Sequence, residues 1–377
     1  MRKYYMDNLR WIVILLLFPY HTLLIYSGIG SYYFHVANNI FADTFILIFA
    51  PWFMQLLFVI AGIATFYSLK KRNITQYLKE RVSKLLIPLI AGMILVIPFS
   101  VYFVFLFYGY TGNFIDLWIS IFTNPDHIVG IFTTSNHTAI GWSLPIGPLW
   151  FLLYLFIVSL LALPLILNHD KQNYIIKKFT IPKLLLMVFP LTIGNYFLNI
   201  FPEKSIIGFF LLFVFGYFLL SDDTVQQKLE KHRWPLFISF IILLTIYIQL
   251  VLGGIGSSTN TTTATSLSLS TIIYGFLANS YINLIMWLGM LGIIGMGKHY
   301  LEFKNKATIY LSSVSFPIYI FQIVWINMFT YYIIKWIPNQ IAIQVILIMV
   351  LSFIMTIINI EVIRRIPLIK TLFGMKN

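Results

Sequence analysis

The 377 residues include no cysteine, and only 10% of them are charged. Without cysteine, disulfides, thiolate nucleophiles and Cys-ligated metals are excluded, while the redox compartment is left open. Acidic residues are the scarcer sign, 12 against 25 Lys and Arg. The seven His are scattered. With no His pair four apart on a helix and no carboxylate set at ligand spacing, metal catalysis is not expected. A Gly-x-Ser-x-Gly turn is also missing, which leaves a serine hydrolase of that type unsupported. Polar interruptions stay under about 40 residues and are rich in aromatics, so no soluble domain is expected beside the apolar part.

What fills the chain is hydrophobic: 59% of residues, with mean hydropathy +0.87. Many apolar runs are long enough to cross a hydrocarbon core of about 30 Å. The sequence predicts an all-α, polytopic integral membrane helix bundle of about ten transmembrane helices, near 9–27, 45–69, 85–108, 148–167, 184–201, 206–221, 235–252, 271–296, 308–334 and 340–363. Arg2 and Lys3 precede the first run, but no small-residue cleavage site follows, so it reads as a retained helix. An even count puts both termini on one side. Assigning that side to the cytoplasm leaves only Lys204 and Lys335 of the 25 basic residues outside. That asymmetry follows the positive-inside rule. It also explains the net charge of +13 as topology, with attraction to anionic membrane lipids and no nucleic-acid partner. The third and fourth helices are joined by an outer segment, 109–147, without Lys or Arg. It contains Asp116, Trp118, Asp126, His127, His137 and Trp142 and is long enough to line an extracytoplasmic cavity.

The first helix carries the most chemistry. Eleven residues separate Arg10 from His21, three full turns, so both lie on one stripe roughly 16 Å apart. His21 then stands near mid-bilayer, where an ionisable side chain usually marks a site or pathway. Asp7, three residues before Arg10, is placed to pair with it. Pro19 lacks an N–H for the Leu15 carbonyl, which predicts a kink beside His21. A histidine bonded to that carbonyl with no chemical part is the alternative, and Arg10 at a helix end could simply reach for the interface.

Five segments together resemble the type-3 membrane acyltransferase family, bacterial multi-helix enzymes that O-acylate glycans. Asp7-Asn8-Leu9-Arg10 followed by His21 is similar to its opening Asp-x-x-Arg-x10-His signature. Met54-Gln55-Leu56-Leu57-Phe58-Val59-Ile60-Ala61-Gly62 matches the second-helix segment, with Ala61 where Ser is common. Lys79-Glu80-Arg81-Val82-Ser83-Lys84-Leu85-Leu86-Ile87-Pro88 resembles the Arg-x-x-Arg loop, with Lys84 for the second Arg. Gly147-Pro148-Leu149-Trp150-Phe151-Leu152 and Ser312-Ser313-Val314-Ser315-Phe316-Pro317-Ile318-Tyr319-Ile320-Phe321-Gln322 are similar to two later motifs, the second with Gln322 where many members have His. The nearest likeness is to the glucan-modifying branch, whose best-known members succinylate periplasmic glucans. A fused extracytoplasmic domain, found in some members, is not expected here.

The resemblance implies a single integral-membrane acyltransferase domain over 1–377, in a bacterial cytoplasmic membrane. Its donor would be acyl-CoA, acetyl or succinyl, and its acceptor a hydroxyl of an extracytoplasmic or lipid-linked glycan, with no metal. His21 is the expected general base, which neutral imidazole suits. Arg10 is expected beside it in the catalytic set, and Arg10, Arg81 and Lys84 are the implied phosphate contacts. Lys84 and its neighbours also read as positive-inside anchors. Trp150 fits stacking on a sugar or on adenine, and equally an interfacial aromatic belt. Ser315 and Tyr319, four apart on one face, fit hydrogen bonds to acceptor or thioester oxygen, and equally to backbone; Gln322 joins them as an expected substrate contact. Glu361 reads as an ion-pair partner of Arg364 or Arg365. A polysaccharide-precursor carrier or flippase, or a membrane component of an export complex, would account for the same helix count and Arg/His stripe.

Overall fold

The computed structural model describes residues 3–29, 34–123, 146–168, 179–197, 199–201, 204–254 and 269–375. Among the described residues the regular structure is helical apart from one short antiparallel ribbon. In order come α1 (Tyr4–Leu15), α2 (Leu17–Leu24), α3 (Ile40–Phe49), α4 (Phe53–Leu69) and α5 (Ile74–Arg81). A π-helical turn (Val82–Leu86), α6 (Ile87–Ala91), a second π turn (Gly92–Val96) and α7 (Ile97–Phe107) continue α5. Then follow α8 (Phe114–Thr123), a 3₁₀ turn (Gly147–Leu149), α9 (Trp150–Leu161), α10 (Leu163–Asn168), α11 (Ile181–Leu185) and α12 (Val188–Phe197). The ribbon pairs β1 (Asn199–Phe201) with β2 (Lys204–Ser205). It leads into α13 (Ile206–Phe215), a third π turn (Gly216–Leu220), α14 (Asp223–Lys231), α15 (Arg233–Leu252), α16 (Leu269–Tyr300), α17 (Lys306–Trp336), α18 (Ile341–Arg364) and α19 (Pro367–Leu372).

Among the described residues, seven spans are long and apolar enough to cross a membrane: Ile40–Leu69, Ile74–Phe107, Gly147–Asn168, Arg233–Leu252, Ile273–Tyr300, Lys306–Trp336 and Ile341–Arg364. An eighth arises if Ile206–Leu220 is counted with Asp223–Lys231, to which it is bent by 95°. Two expected spans differ for local reasons. The first is interrupted at Leu16, where Pro19 withdraws the donor for the preceding carbonyl turn. Bonds from Leu16 N to Ile12 O (3.1 Å) and Tyr20 N to Leu16 O (3.0 Å) carry the helical path across. The fifth stops short, its apolar helix covering Ile181–Asn195 and the chain then turning into the ribbon. Polar caps mark the starts. Asn73 Oδ1 accepts from Gln76 N at 2.9 Å, Asn305 Oδ1 from Thr308 N at 2.8 Å, and Asp222 Oδ1 from Thr224 N at 2.8 Å.

Helices α15 and α18 show Ile238, Ile242 and Ile246, and Ile346, Val350, Ile354 and Ile358, exposed at four-residue spacing. Such stripes are at home against lipid tails.

The chain divides into two compact units. The first comprises residues 1–10, 47–72 and 157–304. Here α4 crosses α13 and the third π turn at Gly62 and Gly216. A Cβ on Gly62 would lie 2.1 Å from Phe213 O, and one on Gly216 2.3 Å from Val59 O. The second unit comprises residues 11–46, 73–156 and 305–377. It is built on α17, whose residues from Val314 to Ile333 are mostly buried against α18, α7 and α2. Asn327 Nδ2 donates to Ser100 Oγ at 2.8 Å, and Tyr26 Oη to Gln344 Oε1 at 2.8 Å.

Candidate active site

His21 lies on α2 in the second unit, half-buried, with its ring edge-on to that of Tyr20 at 5.7 Å. The next residue, Thr22, is fully buried, and its hydroxyl has no hydrogen-bond partner among the described residues. The helix bearing this pair packs on α17 and α18. On α17, Ser315, Tyr319 and Gln322 fall within about 60° of one another at ~100° per residue, forming one polar stripe. Ser315 Oγ donates to Ser312 O at 3.0 Å, the backbone alternative realised. The Tyr319 hydroxyl donates to Pro148 O. Its ring packs edge-on against Phe151 at 5.7 Å, and Trp150 packs against Tyr154 at 5.5 Å. Tyr319 thus ties the middle of the stripe to the 3₁₀ turn and the start of α9, the element that also carries Trp150.

Gln322 is the anomaly there. It is 0% exposed, and neither its amide nitrogen nor its oxygen has a hydrogen-bond partner among the described residues. Leaving such a group bare costs about 1–3 kcal/mol, so it calls for a reason.

Helix register sets the depth of His21 against this stripe. The short link between Trp336 and Ile341 turns the chain back, so α17 and α18 run antiparallel, and their far ends are tied by Tyr310 Oη to Glu361 Oε1 at 2.8 Å and Arg364 Nη2 to Ser313 Oγ at 2.9 Å. Counting inward from both contacts brings Gln322 level with Ser352. On α2, Phe18 meets Phe353 at 5.5 Å between ring centroids and Tyr26 meets Gln344, which brings His21 level with Val350. At ~1.5 Å per residue, these contacts place His21 and Gln322 within roughly 9 Å of each other in depth.

Two of the three expected phosphate contacts, Arg81 and Lys84, sit elsewhere in the same unit. Arg81 ends α5 with its guanidinium 4.7 Å from the centre of the Tyr77 ring, a cation–π contact that orients it. Lys84 lies in the first π turn and pairs with Glu80. The wider π turn shifts the phase of the side chains that follow, a device common at functional sites. Glu80, four residues before Lys84, is thus a partner that helical spacing alone allows, and a phosphate would have to compete with it. Arg10 belongs to α1 in the first unit, where its Nη2 lies 3.0 Å from Asp7 Oδ1, the pairing expected from their spacing. That end of α1 is anchored by residues that sequence reasoning missed. Tyr4 N and Tyr5 N donate to the Glu302 carboxylate at 3.0 and 3.3 Å, and Asn8 Nδ2 donates to the carbonyls of Leu301 and Phe303 at 2.7 and 2.9 Å. A lone acid between Lys298 and Lys304 was the available signal.

In the outer segment, Asp116 and Asn113 cap the start of α8 reciprocally, Asp116 N to Asn113 Oδ1 at 2.9 Å and Asn113 Nδ2 to Asp116 Oδ2 at 2.7 Å. Trp118 Nε1 donates to Ile94 O at 2.8 Å. Asp126, His127, His137 and Trp142 lie outside the described residues. Glu361 pairs with Arg364 at 2.9 Å.

With this geometry in view, a family model described as an acyltransferase domain matches residues 3–360. The chain belongs to that acyltransferase family. Its match runs through both compact units and from Asp7 to Gln322 takes in each expected site residue. Among curated proteins it is similar to glucans biosynthesis protein C of Escherichia coli K12, 28% identical over 204 residues, which cover 51% of this chain and 47% of that protein. The same protein from strain O1:K1 and from strain O139:H28 matches with equal identity and coverage. The chain thus spans about half the length of the curated relatives it matches. No solved structure matches.

Proposed function

We propose that this protein is a membrane O-acyltransferase that moves an acetyl or succinyl group from cytoplasmic acyl-CoA to a hydroxyl of an extracytoplasmic or lipid-linked glycan. The observation that carries the reading is His21 at the depth of a buried polar stripe, in a chain matched almost throughout by an acyltransferase domain. The relatives' name points to glucan as the acceptor class. The reading takes 1–377 as one domain with ten spans and both termini cytoplasmic. The basic residues gathered on one side by that arrangement are its support.

In the reaction the acceptor hydroxyl oxygen attacks the thioester carbonyl while neutral His21 takes its proton. The tetrahedral intermediate collapses with cleavage of the C–S bond. The proton passes from the imidazolium to the departing sulfur, leaving ester and free CoA thiol. Arg81 and Lys84 are assigned to the donor's phosphates, as is Arg10, through charge-assisted hydrogen bonds.

The test is CoA release by protein in lipid nanodiscs given acyl-CoA and a glucan acceptor. His21→Ala and His21→Gln are expected to cut turnover by ~10²–10⁴-fold, with acyl-CoA affinity retained. Near-wild-type turnover in His21→Ala refutes the mechanism. Wild-type protein that moves the glycan across a bilayer without releasing CoA establishes the carrier reading instead.

A further inference from the structure

We infer that Gln322 is the acceptor-reading residue of this site, and that it selects sugars presenting two free hydroxyls on adjacent carbons. The inference rests on the acyl-transfer reading and adds the acceptor's chemistry to it.

Four observations lead there. First, the Gln322 amide is wholly enclosed and neither polar end has a partner among the described residues, so one donor group and one acceptor are held ready. Second, it shares a helix face with Tyr319, which is bonded to Pro148 beside an aromatic group made by Trp150, Phe151 and Tyr154. A planar amide one helical turn from a tyrosine seated in an aromatic group suits a sugar, which offers apolar C–H faces to the rings and hydroxyls at its rim. Third, Gln322 lies within roughly 9 Å of His21 in depth, on a helix that packs against α2, so a sugar held by it extends toward the level of the base. Fourth, glutamine does not titrate, so it is suited to recognition and leaves proton transfer to the imidazole.

The pairing chemistry sets the substrate class. The nitrogen and oxygen of a primary amide are spaced to meet two adjacent hydroxyls, with Nε2 donating to one oxygen and Oε1 accepting from the other O–H. A lone hydroxyl leaves one end bare in an apolar interior, the situation that gives hydroxyl-reading sites their strong discrimination. Gln322 is enclosed, so sugar binding requires an opening beside it, and the 3₁₀ turn that begins at Gly147 (φ +47°) is tied to α17 one turn away through Tyr319 and Pro148.

The experiment uses full-length protein in nanodiscs, acetyl-CoA or succinyl-CoA as donor, and methyl β-glucoside with its monodeoxy derivatives as acceptors. In the wild type, removing either of one adjacent pair of hydroxyls is expected to lower kcat/KM at least tenfold. Gln322→Leu is expected to lose at least tenfold with the parent sugar, to become indifferent to those two deletions, and to keep its KM for acyl-CoA. Gln322→Asn, with the same amide on a shorter stem, is expected to retain the deoxy pattern at reduced rate. A deoxy pattern that persists in Gln322→Leu, or a change confined to the acyl-CoA KM, overturns the inference while leaving acyl transfer intact. Wild-type protein that releases no CoA with any glycan refutes the underlying reading instead.

Discussion

At the residue scale, the roles that survive inspection are set by a neighbour's position more than by residue type. Asp7 with Arg10 and Glu361 with Arg364 were legible because three-residue spacing on a helix dictates them. The isolation of Gln322 was not legible, since nothing in the sequence tells which carbonyls and hydroxyls a buried amide will fail to find. Its unpaired state carries a stability consequence. Gln322→Leu removes a bare donor and acceptor and replaces them with a side chain of similar size. It is therefore expected to gain up to ~1–3 kcal/mol, seen as a higher thermal midpoint in detergent or nanodiscs. A more stable and less active variant is the pattern of a functional site that gives up stability. A lowered midpoint would show that the amide is satisfied in the resting protein, and the site would lose its strongest anomaly.

At the scale of elements, what could be read ahead came from backbone chemistry that acts within one turn. Pro19 announced the interruption at Leu16. The π turns were invisible because tertiary contacts hold them. A Cβ on Gly92 would come within 2.5 Å of Leu149 Cδ1, and the carbonyl of Ile94 is taken up by the Trp118 indole. The anchoring of α1 belongs to the same class, depending on Glu302 nearly 300 positions away. Two helix N–H groups share that carboxylate, which also complements the positive end of the helix dipole. Glu302→Ala is expected to cost about 1–2 kcal/mol by analogy with lost helix caps, and Glu302→Gln, which keeps an acceptor, less. Thermal unfolding of both variants checks this; equal midpoints for Glu302→Ala and wild type would mean that water replaces the carboxylate without loss. If Arg10 binds the donor, Glu302→Ala should also raise the acyl-CoA KM while leaving the acceptor KM unchanged.

At the scale of the whole molecule, hydropathy made the helical membrane class plain, because lipid imposes the same requirement on every span. It did not foretell two compact units, since their division depends on which helices pack together. The orientation in the membrane is the point on which the cytoplasmic donor depends, and the lack of cysteine makes it directly testable. The span Ile74–Phe107 has 34 residues, about 50 Å of helix at ~1.5 Å per residue and ample for a core of about 30 Å. Thr75 lies near one end and Thr111 just past the other, and both are exposed. Asn73 would be a poorer reporter because it caps α5. Every other position being free of thiol, Thr75→Cys and Thr111→Cys each report alone. In intact cells a membrane-impermeant maleimide is expected to label Thr111→Cys at once and Thr75→Cys only after permeabilisation. The reverse pattern would put Arg81 and Lys84 outside, where no cytoplasmic acyl-CoA reaches them. It would also set 23 of the 25 basic residues against the charge rule that oriented the chain.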